Sequence, residues 1–312
     1  MIASVFSKSR PFNYILAVVT LVLSFFIYQI QQQNSNPNSN EIMGWLAKLG
    51  ILLTLIASLF ITNFITKRNG LSKDNSYSAL FFIAFLLFIP KAFSDSSIVI
   101  SSFFILLAMR RLISMKSMVT PKEKIFDASL WIFIAALFHF WSILFIVIVF
   151  VSIVFHVSGD YRNWVLPFIA FFAVGIVFLF FSLLFDKTWI YLIWNQIEVD
   201  FTFFYLERSA VNAALIMYGL FSFVFLIAML LTLSKRPIIM LASYKKVIYI
   251  FLISLLIYVV SPEKNNALLL FSIMPLSILA TAYVEISRDT VLKEIIAGSV
   301  LACGILLFVF QL

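Results

Sequence analysis

The stretch 186–209, DKTWIYLIWNQIEVDFTFFYLERS, gathers the groups best placed to do chemistry. Glu198 and Asp200 are carboxylates two residues apart, and either can serve as a general base. Lys187 and Arg208 bracket them with cations that hold phosphate oxygens. Ile190, Ile193, Trp194, Ile197, Phe201, Phe204 and Tyr205 recur at the i, i+3, i+4, i+7 spacing of one helix face, while Asn195, Glu198 and Thr202 fall on another. Two Trp and two Tyr on such a segment suit the boundary between water and hydrocarbon. The spacing predicts an amphipathic helix near 187–207 lying on a membrane surface. It would act as a lid over a groove for a lipid-linked substrate, or as a linker anchored by its aromatics.

A second set of candidates is cationic: Arg110, Arg111, Lys116, Lys122, Lys124 and Arg162. Together they could bind an anionic headgroup or a diphosphate; separately they are the ordinary charges of a cytoplasmic face. Arg110 and Arg111, being adjacent, point to different sides of a helix. Asp127 and Asp160 are natural ion-pair partners for this set. His139, in LFHFW, is an ionisable group among apolar neighbours and a candidate substrate contact. Two separated histidines, His139 and His156, and one cysteine, Cys303, give no metal-ligand spacing. No metal or cofactor is therefore expected. Phosphate-loop, dinucleotide, GxSxG and HExxH motifs are missing.

The elements that must position these groups are apolar helices. The 312 residues are 63% hydrophobic and 12% charged, with mean hydropathy +1.09. A soluble domain is about 25% charged. Unbroken apolar runs, rather than alternating ones, exclude a barrel and leave helices as the only way to satisfy the backbone in hydrocarbon. Runs near 12–30, 44–66, 77–93, 97–113, 127–140, 141–157, 164–185, 210–233, 247–261, 266–284 and 292–311 approach the length of a span. Lys8 and Arg10 precede a first run too long for a cleaved signal peptide, so a retained first span is expected. Gln31–Asn40 is low-complexity and reads as a flexible outside loop. The rest reads as one membrane domain over 1–312.

Lys and Arg decide whether 127–157 is one helix or a hairpin. With a cytoplasmic N-terminus and a hairpin, only Lys48, Lys91, Lys187, Arg208 and Lys264 lie outside, leaving 17 of the 22 inside. One long helix would leave 13 inside and 9 outside. The positive-inside rule favours the hairpin, and thus about eleven spans. The net charge of +8 follows from this asymmetry and needs no nucleic acid.

The segments RRLISMKSMVTPKEKIFDASLWIFIAALFHFWSILF (110–145) and DYRNWVLPF (160–168) carry a resemblance, together with MIASVFSKSRPFNYIL and ITKRNGLSKDNSYSALFF. The chain resembles an uncharacterised family of multi-pass inner-membrane proteins of Bacteroidota, sometimes labelled carotene-monooxygenase-like. The layout is distantly similar to that of glycosyltransferases and polymerases that use polyprenyl-phosphate sugars. The resemblance implies a bacterial inner membrane and no assigned catalytic residues. Three functions are compatible. One is cell-envelope biogenesis on a lipid-linked sugar or polymer, with membrane lipids and a polyprenyl-phosphate-linked glycan as partners. Another is a non-catalytic subunit or scaffold bound to a membrane protein partner. The third is a transporter or lipid flippase, which the scarcity of mid-span charge disfavours.

Overall fold

The computed structural model of the chain describes residues 2–35, 42–201, 209–262, 264–287 and 289–312. Among them every regular element is helical. In chain order these are α1 (Ile2–Phe6), α2 (Pro11–Ser35), α3 (Ile42–Arg68), α4 (Tyr77–Leu86), α5 (Ser96–Ile113), α6 (Pro121–Phe138), α7 (Ile146–His156), α8 (Tyr161–Leu184), α9 (Thr188–Asn195), α10 (Ser209–Thr232), α11 (Ile238–Val260), α12 (Leu270–Ile286) and α13 (Thr290–Gln311). Short 3-10 turns join several of them.

Eight stretches of 21 to 27 residues, built on α2, α3, α5, α8, α10, α11, α12 and α13, are long and apolar enough to cross a bilayer. Two more apolar pieces, Tyr77–Leu86 and Phe140–His156, are shorter. The chain is thus a multi-pass membrane protein. α6 is also 18 residues long, but Lys122, Glu123, Lys124 and Asp127 in its first two turns lower its hydropathy.

The core is built around α4 and α12. All ten residues of α4 are buried, and α12 is covered almost throughout. The two helices pack on each other, and α3, α5, α10, α11 and α13 complete the surround. Phe81, Phe85, Phe88, Tyr218 and Phe225 meet in edge-to-face pairs at 5.7 to 6.1 Å between α4 and α10, an arrangement aromatic rings prefer to flat stacking. Tyr218 Oη lies 2.6 Å from Ser272 Oγ inside this cluster.

Polar contacts collect at two opposite ends. At one, Lys122 Nζ meets Asp160 Oδ2 at 2.9 Å, so the chain that leaves through α6 returns to the start of α8. Tyr244 donates to the Leu71 carbonyl there at 2.8 Å, and Glu294 accepts from the amides of Ala3 and Ser4, each at 2.9 Å. At the other end, Gln29 donates to the Phe93 carbonyl at 2.9 Å and Gln311 to that of Phe88 at 3.3 Å.

Several boundaries differ from those expected. α11 starts at Ile238, nine residues before the expected run, because Ile238–Leu241 extends the apolar face past Lys245 and Lys246. α2 continues to Ser35, so Gln31–Gln33 are helical and not loop. The return limb of the hairpin opens as a 3-10 turn, Phe140–Phe145, before α7. His139 makes the break with extended backbone, φ −143° and ψ 106°.

Candidate functional site

The segment after α8 contributes to the wall of an apolar groove. Asp186 Oδ1 accepts the Thr188 amide at 2.9 Å, supplying an acceptor to the first turn of α9. That backbone hydrogen bond holds the Asp186 carboxyl below its ordinary range. Trp189 of α9 shares the lining of a groove with Leu130, Ile134 and Leu137 of α6, Val174, Val177, Phe178 and Phe181 of α8, and Phe185 just after it. These side chains line a groove of about 620 Å³ without a single charged group.

The stretch beyond α9 is tied down at several points. Gln196 Oε1 accepts the Phe140 amide at 3.0 Å, linking it to the turn between α6 and α7. The Asp200 amide donates to the Val260 carbonyl at 3.4 Å, and Lys264 donates to the Asp200 carbonyl. The segment is therefore fastened to the connection between α11 and α12 as well.

The helix is shorter than its periodicity suggests. α9 ends at Asn195, so Ile197, Glu198, Asp200 and Phe201 follow it as non-helical chain and do not share helix faces. Gln196 and Asp200 are bonded to other elements, which draws the backbone away from the helical path. Glu198 is exposed and Asp200 partly buried. Lys187 is exposed at the start of α9. Arg208, with Thr202, Phe204 and Tyr205, lies outside the described residues. His139 sits at the same end, its Nε2 3.5 Å from Ser261 Oγ and its ring tilted on Phe271.

The cationic set at the opposite end does not form one site. Arg111 pairs with Asp127 at 2.8 Å, and Lys122 with Asp160. Four other cations bond backbone carbonyls near helix C-termini. Lys116 reaches Asn69 at 2.7 Å after α3, and Lys124 reaches Ser114 at 2.9 Å after α5. Lys246, wholly buried, donates to Leu112 of α5. Arg236 donates to Ala282 of α12 at 3.0 Å. The last carbonyls of a helix lack intrahelical donors and carry the negative end of its dipole, so a cation there is doubly favoured. The expected run 247–261 leaves Lys246 just outside it; the apolar flanks of YKKVIY, within one helical run from Ile238, are the available signal.

Arg110 turns the other way from Arg111 and lies 4.9 Å from the centre of the Phe64 ring. With Asn63, Lys67 and Arg68 it lines a groove of about 700 Å³ whose apolar wall is Phe60, Ile61 and Phe64. Arg162 lies over the Tyr161 ring instead, at 5.9 Å. Arg110, Arg111 and Arg162 therefore stand in three separate settings, and Lys187 and His139 at the far end of the molecule. Lys67 and Arg68 join Arg110 only in the fold, because they lie on a different helix. No group of three His, Cys, Asp or Glu side chains able to hold a metal occurs among the described residues.

Comparison with family models, curated proteins and solved structures finds no match to this chain.

Proposed function

We propose that this is a bacterial inner-membrane protein of cell-envelope biogenesis that takes a lipid-linked substrate, a polyprenyl-phosphate-linked sugar or polymer, under α9. The observation that carries the reading is the uncharged groove between α6 and α8, whose lining includes Trp189 of α9. A hydrocarbon chain is the ligand such walls accept without desolvating polar groups. Lys187, two residues before Trp189, supplies a cation for the phosphate. Glu198, exposed beyond α9, supplies a base for sugar transfer.

The proposal includes eleven crossings with a cytoplasmic N-terminus. The meeting of Lys122 with Asp160 supports a hairpin over 127–157. The helix-capping cations Lys116, Lys124, Arg236 and Lys246, gathered at one end, support the same orientation through the positive-inside rule.

The test is native mass spectrometry of the purified protein titrated with a polyprenyl phosphate, beside an Ala173→Trp variant. Ala173 lines the groove, and an indole there fills the path of the chain. Binding to the native protein and a loss of about tenfold or more in the variant is the expected result. Equal binding by both proteins would overturn the assignment.

A further inference from the structure

The end of the bundle where α2 meets α3 holds a second, polar cavity. Gln29, Gln32 and Gln33 stand at i, i+3 and i+4, one face of the last turns of α2. Opposite them are Lys48 and Ile51, one turn apart on α3, and Phe93 with Ser94 at the end of the 3-10 turn Pro90–Phe93. Together they enclose about 220 Å³.

Gln29 is the unusual member. Its side chain is 2% exposed, and Nε2 donates to the Phe93 carbonyl at 2.9 Å. That bond fixes which way the amide faces. Oε1 is left buried with no hydrogen-bond partner among the described residues. Buried acceptors are almost always satisfied, so this one calls for a donor from a ligand. Lys48, 4.9 Å from the centre of the Trp45 ring, brings the only formal charge among the described lining residues.

We propose that this cavity binds the headgroup of an anionic phospholipid that carries free hydroxyls. The phosphodiester sits on Lys48, a hydroxyl donates to Gln29 Oε1, and the amide of Gln32 faces the remaining oxygens. A bare phosphodiester has only acceptors and would leave Gln29 unsatisfied. An ethanolamine headgroup would bring a second cation beside Lys48. No carboxylate stands among the described lining residues, so a metal ion would lack the anionic ligands it usually takes. Trp45 on α3 and Tyr28 on α2, whose hydroxyl lies 3.2 Å from Ser94 Oγ, are the residue types that mark the headgroup level of a bilayer.

The experiment titrates the full-length protein in neutral detergent with phosphatidylglycerol, phosphatidylethanolamine and glycerol 3-phosphate, read by native mass spectrometry. Lys48→Gln and Gln32→Leu are the variants, with Ala173→Trp as a control in the separate groove. Phosphatidylglycerol is expected to bind the native protein and to weaken about tenfold in Lys48→Gln, the loss of one charged hydrogen bond. A smaller loss is expected in Gln32→Leu and none in Ala173→Trp. Competition by glycerol 3-phosphate would make the ligand a free phosphate and overturn the lipid assignment. Equal binding of phosphatidylethanolamine, or unchanged binding in both variants, would overturn the site. The Ala173→Trp result judges the α6–α8 groove alone, so the two proposals fail separately.

Discussion

Gly304 brings α13 close to the backbone of α4, and adding one methyl group there tests the packing directly. A Cβ on Gly304 would lie 2.8 Å from the Ala84 carbonyl oxygen, 3.2 Å from a Phe88 ring carbon and 3.4 Å from Leu87 Cβ. The carbonyl belongs to the backbone of a fully buried helix and cannot rotate away. Ordinary contact begins near 3.4 Å, so α13 must retreat by about 0.6 Å or distort. Overpacking of this kind costs about 1–3 kcal/mol, while alanine gains up to about 1 kcal/mol over glycine in a helix. Gly298, on the same helix, has no atom within 4 Å of its built Cβ. Gly298→Ala should therefore show the propensity gain without the clash. The difference between Gly304→Ala and Gly298→Ala isolates the close approach, and it should be about 1–3 kcal/mol against Gly304→Ala. Reversible unfolding in mixed detergent, followed by circular dichroism, measures it. If Gly304→Ala proves as stable as Gly298→Ala, α13 does not approach α4 through a glycine contact and the core is wrongly drawn.

Three further outcomes follow from single contacts. Tyr218→Phe removes the buried hydroxyl that lies 2.6 Å from Ser272 Oγ; it should destabilise by about 1 kcal/mol in the same unfolding assay. The hydrogen bond from Lys122, with one from the Arg162 amide, holds Asp160 below its ordinary 3.8. Its contribution is thus fully present above that value and is lost as pH falls through the lower folded one. Amide exchange at Arg162 should accelerate only below about pH 4, and Asp160→Asn should abolish that dependence. For topology, Cys303 is the chain's one thiol, so single cysteines at 198 and 122 in a Cys303→Ser background should label from opposite sides of the membrane. Labelling from one side would refute the hairpin.

Why some of this was legible and some not is clearest at particular residues. The apolar runs declare helices without help, because a backbone in hydrocarbon has no other solution. The Lys and Arg distribution makes a hairpin of 127–157 the economical reading, and the ion pair of Lys122 with Asp160 brings the two ends of that stretch together. Asp127 and Asp160 were also readable as ion-pair partners, since they lie close in sequence to several cations and opposite charges attract at a surface. Local periodicity misled at 190–205. Seven apolar residues keep helical spacing there, yet α9 stops at Asn195 because Gln196 and Asp200 are bonded to the α6–α7 turn and to α11. A sequence pattern does not contain those partners.

The cationic cluster shows the same limit. Composition and charge order decide that Arg110, Lys116, Lys124 and Lys246 belong to one end of the molecule. Only the fold decides that Lys116, Lys124 and Lys246 bond helix-end carbonyls while Arg110 faces a groove with Lys67 and Arg68. Those partners are contributed by different helices, and which helices are neighbours depends on how the apolar faces pack. Span identity is a property of each segment's own free energy in lipid, so the chain determines it alone. The apolar groove and the amide-lined cavity are properties of pairs of helices, which only tertiary packing brings together.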